Sequence, residues 1–254
     1  MCIRDRSAFG DLIAQVEAAM PAYTDAEFRG ICDALRGGDA VETAHPDLFA
    51  SVRTFMEKAA PLTLSYAMSN RWLAGGDVTE ADRAEIARGK KLAYLLCPAR
   101  PRLRLVDIET EGTIDEAAAI ATLKDYEAVL PEYPMLFAVE NARQTATQTL
   151  KIAVAAGARL TYDETNTYRA DGTTLNAPSE FWNAVRMEDL TSVHFKQKTE
   201  AGVLSVVGDG FVDFRAIAKH LRTGNYTGDL LLENRPTERS LQDALESRAY
   251  LMAC

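Results

Sequence analysis

The strongest constraint on this chain is a pattern that occurs four times in its second half: a short, largely apolar run that stops at a side chain able to bind a metal. Met135-Leu136-Phe137-Ala138-Val139 stops at Glu140, Arg159-Leu160-Thr161-Tyr162 at Asp163, Thr191-Ser192-Val193 at His194, and Asp229-Leu230-Leu231-Leu232 at Glu233. The clearest of these runs, before Glu140, reads as a strand buried on both faces of a parallel sheet. An ionisable group at the end of a buried strand is costly unless something pairs with it. The four residues are spaced by 23, 31 and 39 positions, and each interval has room for one helix and its loops. Taken singly, each has an ordinary explanation: a glutamate at a strand end is most often a salt-bridge partner, and a lone histidine a satisfied, half-buried one. Four in order at successive strand ends point instead to Glu140, Asp163, His194 and Glu233 converging on one divalent cation at the top of a barrel.

The rest of the chain alternates in the same way. Helical spacing runs through Leu12–Met20, from Asp25 as N-cap to Leu35 before Gly37-Gly38, through Pro46–Ala60, and from Thr79 to Leu95. Further helices are expected over 114–130, 145–156, 179–185, 214–222 and 240–252. Strands are expected at Ala40–Thr43, Leu62–Tyr66, Leu103–Ile108 and the four ligand-bearing runs, seven in all. Strand–helix alternation without a second compositional regime argues for one α/β domain with a parallel sheet. A length of 254 residues matches a (β/α)8 TIM barrel of ~250. With seven strands found, the barrel is expected to lack its first strand through N-terminal truncation. Its edge strands, near 41 and 231, should then promote self-association or a homo-oligomer. Met1–Arg6 continues no period into the chain and reads as a non-native leader, leaving 7–254 as the single domain.

Composition excludes several classes. A net charge of −9 and a pI near 5.0 oppose any general affinity for nucleic acid or anionic membranes. Four cysteines without a C-x-x-C pair suit a reducing compartment, and no apolar run reaches the ~18 residues of a membrane span. A cytoplasmic location is expected. No Gly-x-Gly-x-x-Gly follows a strand and no Gly-x-Ser-x-Gly elbow is present.

Five segments in order carry a resemblance: Val139-Glu140-Asn141, Tyr162-Asp163-Glu164-Thr165-Asn166, Val193-His194-Phe195-Lys196, Gly208–Phe214 and Gly224–Glu233. Over residues 40–254 the chain resembles the sugar phosphate isomerase/epimerase family with the xylose isomerase-like barrel. That group includes ketose 3-epimerases, hydroxypyruvate isomerases, inosose dehydratases and, more distantly, endonuclease IV. The resemblance implies a metal held by Glu140, Asp163, His194 and Glu233, with the two glutamates as the acid/base pair on opposite faces of a sugar or keto-sugar. Three carboxylates and one imidazole suit Mn, Mg or Co better than Zn. Asn166 and Lys196 are candidate substrate contacts, although Lys196 also fits a surface lysine. Trp182, beside Phe181, is a candidate wall for the sugar or a core residue. Two positions depart from the epimerases: Asn166, where many carry a histidine, and Glu200, where many carry an arginine. A metal-dependent dehydratase or lyase acting on an inosose or 3-keto-glycoside is therefore the alternative, and a metal-retaining, non-catalytic binding protein a third. Three histidines are too few for the trinuclear zinc site of endonuclease IV.

Overall fold

A computed structural model describes residues 8–60, 63–97 and 99–254. The leader Met1–Arg6 and Leu62, the first residue of one expected strand, lie outside the described residues. Three helices come first: α1 (Ala8–Ala19), α2 (Asp25–Gly37) and α3 (Pro46–Ala59). Strands and helices then alternate as β1 (Tyr66–Ser69), α4 (Glu80–Leu96), β2 (Arg102–Val106), α5 (Glu116–Ala128), β3 (Leu136–Glu140), α6 (Ala146–Ala156), β4 (Arg159–Asp163), α7 (Pro178–Ala184) and β5 (Leu190–Phe195). A hairpin of β6 (Lys198–Thr199) and β7 (Gly202–Val203) precedes α8 (Phe214–Thr223), β8 (Asp229–Leu232) and α9 (Ser240–Met252).

Six strands pair in parallel in the order β1-β2-β3-β4-β5-β8. The sheet is curled. Arg102 and Arg104 of β2 ion-pair or hydrogen-bond with Asp229 of β8 and His194 of β5, whereas β2 and β8 in a flat sheet would stand about 19 Å apart, at ~4.8 Å per strand. The result is an incomplete (β/α)8 barrel with helices on its convex side. Leu103, Leu105, Phe137, Val139, Leu160, Tyr162, Val193 and Phe195 point outward into the helix layer and are buried. The concave face is polar, with Arg102, Arg104, Glu140, Thr161, Asp163, Ser192, His194 and Asp229.

Two expectations are corrected. Ala40–Thr43 forms no strand, and the strand expected over Leu62–Tyr66 runs instead over Tyr66–Ser69, so among the described residues six parallel strands stand where seven were expected. In place of another strand, Ile13 of α1 and Phe55 of α3 line a cavity of about 260 Å³ together with Arg104, Ser192 and Leu231 of the concave face. The residues after Gly38 run straight into α3, and Tyr23 hydrogen-bonds to Thr43 and His45, which ties this stretch to the helices. Thr24, not Asp25, caps α2, in a capping box with Glu27; Thr79 and Asp82 build the same box at α4. Among the described residues no helix is long and apolar enough to cross a membrane.

Candidate metal centre

The strands place the four expected residues together at the C-terminal mouth. Glu140 ends β3, Asp163 ends β4, His194 lies in β5 and Glu233 follows β8, where its backbone N–H donates to Phe195 O at 3.0 Å. One potential ligand atom from each lies within 4.8 Å of the others. Two donors on opposite sides of an ion with bonds of about 2.2 Å are ~4.4 Å apart, so the quartet is close to the size a divalent ion needs.

A single irregularity sets this alignment. Leu160 pairs with Leu190, but Thr161 pairs with Ser192, so β5 carries one extra residue, Thr191. Without that bulge Asp163 would face Val193; with it, Asp163 is level with His194. Thr161 Oγ1 bonds both Thr191 Oγ1 and Ser192 Oγ at 3.0 Å and holds the bulge.

His194 Nδ1 points at the carboxylates: 3.2 Å to Glu233 Oε2, 3.7 Å to Glu140 Oε1 and 3.9 Å to Asp163 Oδ2. Asp163 Oδ1 accepts from Thr165 N at 2.9 Å, which leaves Oδ2 buried and without a hydrogen bond. Lys196 Nζ stands 2.6 Å from that oxygen, out of hydrogen-bond alignment, and 3.2 Å from Glu233 Oε2. Asn141 clamps Asp163 through its backbone, donating to Asp163 O (2.8 Å) and accepting from Asp163 N (2.9 Å). Asn166 Nδ2 donates to Glu140 Oε1 at 3.3 Å and to Asn141 O at 2.8 Å.

The two glutamates are electrostatically unlike. Burial pushes the Glu140 carboxyl up against the charge of Arg104, and the charges of Asp163 and Glu233 add to the rise. At Glu233 burial also pushes up, but the His194 hydrogen bond and the charges of Lys196 and Arg104 outweigh it and hold the group well below the usual carboxylate range. Burial would lower Lys196, yet Asp163 and Glu233 hold its ammonium above the ordinary value.

A cavity of about 510 Å³ opens above the quartet, lined by Arg104, Glu140, Arg143, Asn166, Lys196 and Glu233 among others. Asn166 and Lys196 thus reach the cavity. Trp182 does not line it: α7 lies outside the sheet, and Trp182 packs edge-on to Tyr162, stacks on His220 and donates from Nε1 to the buried Glu164 at 3.1 Å. Glu200 is exposed in the turn of the β6–β7 hairpin. The Gly208–Val212 segment is fastened by the buried Gln197, which donates to Gly208 O (2.6 Å) and Val212 O (3.2 Å). A Cβ at Gly210 would fall 2.7 Å from Lys198 O, so glycine is required for that close approach.

The residue that sequence reasoning overlooked is Arg104. Its Nη1 donates to Glu140 Oε2 and lies 3.0 Å from His194 Nε2. The signal was present in Arg102-Leu103-Arg104-Leu105, where the arginines alternate with outward-facing leucines and so must face the barrel interior.

No family model matches the sequence, and no curated protein matches it. Among solved structures, the chain is similar to the IOLI protein with a bound zinc atom (12% identity over 91% of this chain and 94% of that one, TM-score 0.61). It is also similar to 3-keto-D-glucoside 4-epimerase from E. coli (15% identity, 89% and 87% covered, TM-score 0.56). A xylose isomerase-like TIM barrel protein from Mycobacterium smegmatis in complex with magnesium matches at 19% identity, 84% and 78% covered, TM-score 0.54. At these identities the likeness is one of fold, and the fold of this chain is that of the xylose isomerase-like TIM barrels.

Proposed function

We propose that this protein is a divalent-metal-dependent isomerase or epimerase of a sugar or keto-sugar. The observation that carries the reading is the convergence of Glu140, Asp163, His194 and Glu233 within 4.8 Å at the mouth of the barrel, with the buried Asp163 Oδ2 ion-paired to Lys196 and turned towards the other three. A neighbour with zinc and another with magnesium support a divalent ion. Three hard carboxylates and one imidazole favour Mn, Mg or Co.

Glu140, Asp163, His194 and Glu233 would hold a divalent ion, which would supply Lewis acidity towards a substrate carbonyl and so acidify the adjacent C–H. Glu140 and Glu233 then hold and move the proton: one takes it from the α-carbon and the other returns it on the opposite face. Lys196 and Asn166 stand at the cavity wall, where they orient substrate oxygens.

The test is isotope exchange in deuterated water with Mn2+ and a panel of ketoses, inososes and 3-keto-glycosides. Deuterium at the α-carbon with no loss of a substituent is the expected result. Release of water or an aglycone would identify a lyase, which shares the proton abstraction but then expels a β-substituent. A metal-loaded protein that exchanges no substrate would overturn both readings and leave a binding role.

A further inference from the structure

Arg104 occupies an unusual position for a cation. It reaches from β2 beneath the quartet, and the same Nη1 serves Glu140 Oε2 and His194 Nε2. A guanidinium has donors and no acceptor. At 3.0 Å from Nε2 it can only donate, so Nε2 must present its lone pair. An imidazolium, or a neutral ring with its proton on Nε2, would set two N–H groups against each other. The ring proton therefore sits on Nδ1, where Glu233 Oε2 accepts it at 3.2 Å.

Nδ1 is also the ring atom that faces the three carboxylates. A cation that takes the Nδ1 lone pair requires the proton on Nε2, and there it meets Arg104. We propose that Arg104 is a positioning residue that holds His194 in the Nδ1–H tautomer, closes the quartet in the absence of metal, and must leave Nε2 for the cation to enter. The inference rests on the metal reading above. Two further observations support it. Arg104 Nε is buried with no hydrogen-bond partner, so the present arrangement leaves one of its donors unused. Lys196 stands between Asp163 and Glu233, so two side-chain cations together offset part of the negative charge of the three carboxylates.

The experiment has two arms. In metal-free, 15N-labelled protein, long-range 1H–15N spectra report the tautomer of each histidine. There are three, and H45Q and H220Q assign the remaining signal to His194. The expected wild-type signature is a protonated Nδ1 and an unprotonated Nε2. R104Q, whose side chain is too short to reach Nε2, removes the obligate donor there and frees the Nε2–H tautomer, so the wild-type signature is lost; R104K, still a donor, retains the wild-type form. In the second arm, free Mn2+ is followed by electron paramagnetic resonance. R104Q is expected to bind about tenfold more tightly than wild type, the scale of one hydrogen bond that no longer has to be broken for the cation to enter, and R104K to stay near wild type. A wild-type His194 protonated on Nε2, or a folded R104Q that binds Mn2+ no more tightly, overturns the proposal while leaving the metal reading intact. If neither protein takes up Mn2+, the metal reading fails and this inference with it. Should R104Q not fold, the wild-type tautomer decides alone.

Discussion

The first 60 residues and the strand–helix half beyond residue 99 are built on different principles. In the later half each helix returns the chain to a parallel strand, and the outward side chains of the sheet meet α5, α6, α7 and α8 in one large core. The early region has no strand among its described residues. Its helices bury Val16, Phe28, Ile31, Phe49, Val52 and Met56 against one another and against Leu92, Leu95 and Leu96 of α4 and Tyr133. Polar chemistry follows the same division. The strand-built half brings carboxylates together at one mouth, whereas the early helices spend their polar groups on caps, on the Arg88–Glu17 and Lys91–Asp25 pairs and on Arg36, which lies over the Tyr94 ring at 3.6 Å. The lesson is that register in a parallel sheet can assemble a site from distant positions, while a helical cluster with no sheet of its own contributes stability and shielding.

The sharpest test of this division is to change the mouth alone. Glu140→Gln and Glu233→Gln should each lower α-proton exchange by about 10²–10⁴-fold in protein that remains folded by circular dichroism. Full exchange in both variants would remove the acid/base pair. The next test strikes the early region. Phe28→Ala, at a fully buried site, should cost about 3–5 kcal/mol in a single unfolding transition, because α4 belongs both to that cluster and to the packing on β1 and β2. Two separate transitions in calorimetry would show that the regions are independent.

A third effect belongs to the strand-built half. Burial raises the Glu164 carboxyl to about 7, against the hydrogen bonds from Trp182 and Tyr162 that lower it. The folded state thus binds this proton more tightly than the unfolded chain, so the group's contribution to stability is full below ~4.5 and is lost as pH rises through about 7. Comparing wild type with Glu164→Gln in urea at pH 5 and pH 8 should reveal a difference on the order of 3 kcal/mol, with the wild type losing stability at the higher pH. A parallel pH dependence in the two proteins would contradict this. The smallest effect is local: Thr24→Ala in the early region and Thr79→Ala at α4 should each cost ~1 kcal/mol, read as equal downward shifts in denaturant midpoint. Unequal costs would show that one capping box matters more in context than its geometry implies.

Much of the strand-built half was legible from local pattern. Helices at 146–156, 214–223 and 240–252 begin and end within about a residue of the positions read from the sequence, and the structure shows Thr145, Asp213 and Gly157 capping the first two. The error at Ala40–Thr43 has a non-local cause. A four-residue run with one β-branched apolar residue becomes a strand only if a neighbour offers hydrogen bonds, and here Tyr23 and α3 claim the segment instead. The two readings of Trp182, sugar wall or core, stayed open for a related reason: a helix pattern shows which residues are buried, not which side of the sheet they are buried against, and here Trp182 packs on Tyr162 and His220.

By itself the sequence determined the alternation of strand and helix and the delivery of Glu140, Asp163, His194 and Glu233 to strand ends, since both follow from periodicity and spacing along the chain. Tertiary structure alone decided what those side chains meet. The bulge at Thr191 set His194 level with Asp163. The curl of the sheet brought Arg104 of β2 to His194 of β5, across two intervening strands. Both depend on cross-strand register and sheet curvature, which are properties of pairs of strands and are written in no single segment.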